Sequence, residues 1–275
     1  MRTTSDSMTR ARVAGLEFDR LCEEEVVRYI TESSRLGRGG WVATPNIDIC
    51  RQTRRDPAAR ALVESATLIV PDGMPVLWAS QLSGDRLVER ITGSSLIFSL
   101  SDAAARGGQS VYLLGGEPGV PDLAGRELAR RYPGLKVAGA DAPPPGFEQT
   151  ADAVLAVRER LLLAAPDIVY VGLGFPRQER LITQLMPSLP SAWFVACGAA
   201  IPIAAGTRSR APSWMQRSGL EWMFRLLSEP RRLFRRYVVH DVPYAVGLLA
   251  SCAAERTRAH LPIDAHGPMP IRKTR

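Results

Sequence analysis

Residues 167–182 read DIVYVGLGFPRQERLI, an apolar β-branched run that passes through two glycines and a proline into a helix-forming segment. Gly172 and Gly174 let the backbone approach a ligand closely, and Pro176 suits the first turn of the helix that follows. Arg177 and Gln178 are expected to project from that helix's N-terminus. A strand, a glycine loop and a helix in succession form the repeating unit of an α/β fold. Five other runs begin in the same way: WVATPN (41–46), ATLIVP (66–71), SVYLLGG (110–116), LKVAGA (135–140) and AWFVACGA (192–199). Helix-like segments fill the intervals at 22–36, 47–64, 74–82, 94–106, 120–131, 150–164 and 177–187. The alternation predicts a Rossmann-like parallel sheet with helices on both faces.

In such sheets ligands bind at the carboxyl ends of the strands, where helix N-termini and loop N–H groups converge. The polar and glycine residues at those ends are Thr44 and Asn46, Asp72 with Gly73, Gly115 with Gly116, and the segment 172–179. Each has a plain alternative. Asp before Gly is common turn chemistry, and Asp72 could simply cap the helix beginning near Met74. The glycines of SVYLLGGEPG could cradle a pyrophosphate or only make a tight turn, and they lack the GxGxxG spacing of a dinucleotide site. Gln178 can donate and accept, which suits a sugar hydroxyl or a phosphate oxygen, or it can sit exposed on a capped helix. Arg90, before the turn TGSS, could grip a diphosphate bidentately or lie on the surface.

Charge is distributed unevenly. The 275-residue chain carries a net charge of +7 with only two lysines, Lys136 and Lys273. Eight arginines fall between Thr207 and His240 against two acids, Glu221 and Glu229, and Trp214, Trp222, Phe224, Phe234 and Tyr237 are mixed among them. The reading divides the chain into a flexible N-terminus (1–13), a catalytic domain (14–205), a basic helical C-terminal appendage (206–260) and a disordered tail (261–275). Cys22, Cys50, Cys197 and Cys252 show no CxxC pairing and the three histidines come late, so neither a zinc site nor a disulfide framework is indicated. The N-terminus lacks the apolar core of a signal peptide, and a cytoplasmic setting is expected. The run YAVGLLASCAA (244–254) is shorter than the roughly 20 residues that span a bilayer, and no transmembrane helix is expected.

Taken in order, TPNID (44–48), ATLIVPDGMPVLWA (66–79), ERITGS (89–94), YLLGGEPGV (112–120), RYPGLKVAG (131–139), VGLGFPRQE (171–179) and the segment 204–237 resemble the WecG/TagA/CpsF family, glycosyltransferase family 26. The resemblance covers about residues 14–245. It implies an inverting, metal-independent enzyme without a cofactor, which moves a sugar such as N-acetylmannosamine from a UDP-sugar to a polyprenyl-diphosphate-linked sugar. It implies Asp72 as catalytic base, with Thr44, Arg90 and Gln178 as further active-site positions. It also implies that the appendage docks on the membrane and completes the site. Arg210, Arg217 and Arg225 are then candidates for substrate contact beside Asn46, Gly73, Gly115, Gly116, Gly172 and Gly174.

The physical chemistry agrees. Inversion needs the acceptor hydroxyl to attack opposite the departing UDP, and a carboxylate within hydrogen-bond reach can take its proton as the bond forms. Many transferases offset the diphosphate charge with a metal held by a DxD pair; the chain has no DxD, which leaves arginines and helix N-termini for that task. A basic, aromatic segment suits an anionic leaflet at about 1 kcal/mol per basic residue near the surface. The chain departs from the family at Ile201-Pro202-Ile203, where an aromatic-Asp-aromatic run is usual. Two other functions fit parts of the pattern: an NAD(P)-dependent oxidoreductase, whose fingerprint is missing, and a basic nucleic-acid-binding module. Nucleic acid is not the expected partner, and homo-oligomerisation stays open.

Overall fold

The computed structural model describes residues 9–259, without the side chains of Ser213, Arg217, Arg258 and Ala259. The expected tail lies outside the described residues. An antiparallel hairpin, β1 (Arg10–Val13) and β2 (Leu16–Asp19), precedes α1 (Glu23–Arg35), β3 (Gly40–Ala43), α2 (Ile47–Arg55), α3 (Pro57–Glu64) and β4 (Leu68–Ile69). Next come α4 (Met74–Ser83), α5 (Gly93–Gly107), β5 (Ser110–Leu114), α6 (Val120–Arg131), β6 (Lys136–Asp141) and α7 (Ala151–Ala164). The domain closes with β7 (Ile168–Val171), α8 (Arg177–Leu185), β8 (Trp193–Ala196) and α9 (Ala200–Ala204). The appendage comprises α10 (Ser213–Arg217), α11 (Glu221–Ser228), α12 (Pro230–Phe234), a π-helical stretch (Arg235–Asp241) and α13 (Val242–Ala259).

The six strands expected from the apolar runs form one parallel sheet in the order β4-β3-β8-β7-β5-β6. Successive side chains point to opposite faces, so Trp41, Val169 and Phe194 join one core layer while Val42, Tyr170 and Val195 join the other. Burial on both faces is why these strands read as continuous apolar runs. The chain places β4 to one side of β3 and β5–β6 to the other, then fills the gap with β7 and β8. The loops leaving β3, β7 and β8 therefore meet at the middle of the sheet's carboxyl edge.

Three expectations are corrected. Arg10–Val13 is a strand, where flexibility was expected through residue 13; Ala14 and Gly15, both at positive φ, make the tight turn to β2. Ala11, Val13, Leu16 and Phe18 bury one face of the hairpin, and the buried Asp19 accepts from the Ile69 N–H at 2.8 Å, fixing it to β4. The helix expected over 47–64 is two helices. Pro57 disfavours the helical region for Asp56, which is extended (φ −122°, ψ 107°) and caps α3 through the Ala58 N–H. Finally, α12, the π-helical stretch and α13 make one continuous helix over Pro230–Thr257, 28 residues that by length and composition alone could cross a membrane. It packs along α4, with Leu233, Leu248 and Cys252 buried.

Candidate active site

The floor of the site is made where strand ends are stitched together. As the chain leaves β3, the Thr44 hydroxyl donates to the Ala196 carbonyl at the end of β8 (3.3 Å). Asn46 caps α2, its side-chain oxygen accepting from the N–H groups of Asp48 and Ile49 at 3.1 Å each. Beyond β4, the Asp72 N–H donates to the Pro45 carbonyl (3.1 Å) and the Pro71 carbonyl accepts from Ile91 (2.8 Å). The Asp72 loop is thus held between the β3 loop and the segment leading to α5.

Asp72 does not cap α4. Gly73 occupies the cap position at φ 97°, a backbone conformation suited to glycine, and α4 has no side-chain cap. Among the described residues no hydrogen bond reaches the Asp72 carboxylate. Part of its surface faces open clefts, yet it lies deep. That burial pushes its carboxyl up to about 6, with Arg225, Arg90 and Arg210 pulling it down and Glu221 pushing it further up.

The charged side chains around Asp72 come from both parts of the chain. Arg90, before α5, donates to Glu221 Oε2 at 2.9 Å, and Arg225, one turn along α11, donates to Glu221 Oε1 at 3.1 Å. Arg210 reaches the N-terminus of α5, donating to the Ser94 carbonyl (3.3 Å) and the Thr92 hydroxyl (3.4 Å). The side chain of Arg217 lies outside the described residues. Behind them a buried cluster ties the appendage to α2. Asp48 pairs with Arg51 and with Arg236 (3.0 Å), while Asp241 pairs with Arg51 (3.4 Å) and Arg236 (3.7 Å). Burial, followed by the neighbouring Asp48, raises the Asp241 carboxyl above the usual carboxylate range.

Gln178 has a different placement from the one its exposure on a helix N-terminus would give. It is buried, and its carbonyl oxygen accepts from the N–H groups of Gly174 and Gly198 at 3.1 Å each while its amide donates to Glu179 (2.9 Å). It therefore joins the β7 loop to the β8 loop. Glycines close the same floor. A Cβ at Gly115 would lie 2.8 Å from the Gly172 carbonyl, and one at Gly172 would lie 2.8 Å from the Gly198 carbonyl. Gly116 and Gly174 adopt positive φ and line the space above. Ile201, in the segment that departs from the family pattern, packs under Gly172, while Pro202 and Ile203 line the cleft.

Two spaces meet over this floor. A cleft of about 870 Å³ covers the strand ends and is lined by Thr44, Gly116, Gly172, Gly174, Gln178 and, from the appendage side, Arg208, Arg210 and Arg232. A smaller cavity of about 140 Å³ lies between α4 and the appendage, walled by Ile47, Met74, Pro75, Trp222 and Val242. Asp72 lines both, together with Asn46, Glu221, Arg225, Arg236 and Tyr237. Glu221, Arg236 and Asp48 were not singled out from the sequence. The one signal for Glu221 was an acid isolated in an arginine-rich, apolar segment, where a buried carboxylate must find partners. Among the described residues no three His, Cys, Asp or Glu side chains are grouped to hold a metal.

The chain matches the Glycosyl transferase WecG/TagA/CpsF family over residues 11–258. Among curated relatives, the N-acetylglucosaminyldiphosphoundecaprenol N-acetyl-beta-D-mannosaminyltransferase of Bacillus spizizenii is 34% identical over 196 residues, 71% of this chain and 74% of the relative. The enzyme of the same name from Bacillus subtilis is 32% identical over 70% of this chain and 73% of its own. That from Staphylococcus aureus strain MW2 is 28% identical over 81% and 86%. With the six-stranded sheet, the ordered motifs and nearly all of the appendage inside the matched span, this chain is a glycosyltransferase and belongs to the WecG/TagA/CpsF family.

Proposed function

We propose that the protein transfers an N-acetylmannosamine-like sugar, with inversion, from a UDP-sugar in the large cleft to a polyprenyl-diphosphate-linked sugar in the smaller cavity. The observation that carries this reading is Asp72, an unpaired carboxylate of raised pKa exposed to both spaces. As the acceptor hydroxyl oxygen bonds to the anomeric carbon, its proton passes to Asp72 while the bond from that carbon to the diphosphate oxygen breaks on the opposite face. UDP leaves with the bonding electrons. Arg210, Arg225 and Arg232 and the N-terminus of α5 supply positive potential for the departing charge. Thr44 and Gln178 hold the floor in register, and the reaction as written needs no metal.

The acceptor side has the character a lipid-linked substrate requires. Met74, Pro75, Trp222 and Val242 wall the cavity, and Leu227, Phe234, Val239 and Val246 are exposed apolar residues of the appendage, in the segment that also carries Arg231, Arg232 and Arg235. Such a segment suits docking on the cytoplasmic leaflet, with cations at the headgroups. The relatives named for transfer to N-acetylglucosaminyldiphosphoundecaprenol support this acceptor class and a role in cell-surface glycan assembly. Family membership favours sugar transfer over the oxidoreductase and nucleic-acid alternatives. The test is incubation with a panel of UDP-sugars and a polyprenyl-diphosphate-N-acetylglucosamine acceptor, read by mass spectrometry. UDP release with a gain of one N-acetylhexosamine residue on the acceptor is expected; no product with any UDP-sugar, in the presence of anionic vesicles, would refute the reading.

A further inference from the structure

A carboxylate among three guanidiniums ordinarily pairs with one of them. Its lone pairs are then occupied and its pKa falls by roughly 1 to 3 units, which makes it a poor base. Asp72 has Arg90, Arg210 and Arg225 around it and pairs with none. The reason lies in where each guanidinium is directed. Arg210 is turned to the Ser94 carbonyl and the Thr92 hydroxyl at the start of α5. Arg90 and Arg225 are both turned to Glu221, one to each carboxylate oxygen, in pairs whose Arg90 and Glu221 side chains are only 16% and 13% exposed. Of the other charged groups that line the two spaces, Arg236 and Asp241 are held by Asp48 and Arg51, Arg208 and Arg232 pair with Glu229, and Arg177 pairs with Glu148.

We propose that Glu221 is a positioning residue for transfer: its carboxylate draws Arg90 and Arg225 off Asp72 and so leaves the lone pairs of the base free for the acceptor proton. The same bridge joins the appendage to the catalytic domain. The Glu221 charge also acts on Asp72 directly, in the sense that disfavours its ionisation. This proposal rests on the reading of Asp72 as base.

The experiment is a pH titration of the full-length protein labelled with aspartate carboxyl ¹³C, with the Asp72 resonance assigned by its absence from Asp72→Asn. Glu221→Gln removes the charge at constant size, and the Asp72 midpoint should fall by about one pH unit or more. Glu221→Asp keeps the charge and should hold the midpoint near the wild-type value. In turnover, Glu221→Gln should carry the acidic limb of kcat/KM to lower pH while kcat on the plateau falls several-fold. An Asp72 midpoint that does not move in Glu221→Gln overturns the proposal; if that variant does not fold, Glu221→Ala gives the same reading. A midpoint that moves while Asp72→Asn still turns over normally would uphold Glu221's hold on Asp72 and refute the base assignment instead.

Discussion

Asp72→Asn should yield an enzyme that is more stable and nearly inactive. The side chain accepts no hydrogen bond among the described residues, so an isosteric amide breaks none. Burial raises the carboxyl from 3.8 to about 6, so between those values the folded state holds a proton that the unfolded chain has released. Stability from this group is complete below pH 3.8, falls as the pH rises, and is lost above about 6. At pH 7.5 the ionised carboxylate therefore costs about 3 kcal/mol as an upper bound, or about 1–3 kcal/mol once screening through the open clefts is allowed for. The asparagine variant escapes that cost. Thermal unfolding at pH 7.5 should show a Tm several degrees above wild type, with the difference shrinking toward pH 5. Initial rates with a UDP-sugar and a polyprenyl-diphosphate acceptor should fall by about 10²–10⁴ on loss of the base. Wild-type kcat/KM should decline with falling pH below about 6, as the carboxylate takes up its proton. A variant less stable than wild type at pH 7.5, or one that turns over within a few-fold of it, would refute the reasoning.

Glu179 is buried at 2% exposure, and burial raises its carboxyl from 4.5 to about 7 against the hydrogen bond from Gln178. Its stabilising proton is lost as the pH rises through 4.5–7, at up to about 3 kcal/mol. Glu179→Gln keeps an oxygen for the Gln178 amide, so its unfolding free energy should vary less over that window and exceed wild type at pH 8; parallel curves would contradict this. Removing the chain after Gly206 takes away Glu221, Arg225 and the exposed apolar residues together. Activity and binding to anionic vesicles should then be lost in parallel, and full activity in sedimentation-clean supernatant would count against the appendage's role.

Much of this architecture was legible locally. Strands buried on both faces announce themselves as apolar runs, and a residue such as Gly73 marks a turn because backbone sterics act within one or two residues; the break that Pro57 makes follows the same rule, yet the helical pattern on either side of it reads as one helix. The hairpin at Arg10–Asp19 was less visible. Its strands are four residues long, and the alternating Arg10, Arg12 and Glu17 dilute the apolar positions that it buries. The continuity of the 28-residue helix was also hidden, because Arg235, Arg236 and Asp241 interrupt its apolar pattern while leaving its backbone unbroken.

That Asp72, Thr44, Gln178 and the paired glycines lie at the carboxyl ends of parallel strands could be read along the chain, since strand succession and loop composition are local properties. What each side chain meets was settled on folding. Gln178 turned inward to two backbone N–H groups, Asn46 became a cap, and Arg90 found Glu221, 131 residues away. Asp72, by contrast, was left with open lone pairs between two spaces. Electrostatic pairing and burial depend on which groups come within a few ångströms after folding, so the strength of a base is a property of the assembled site.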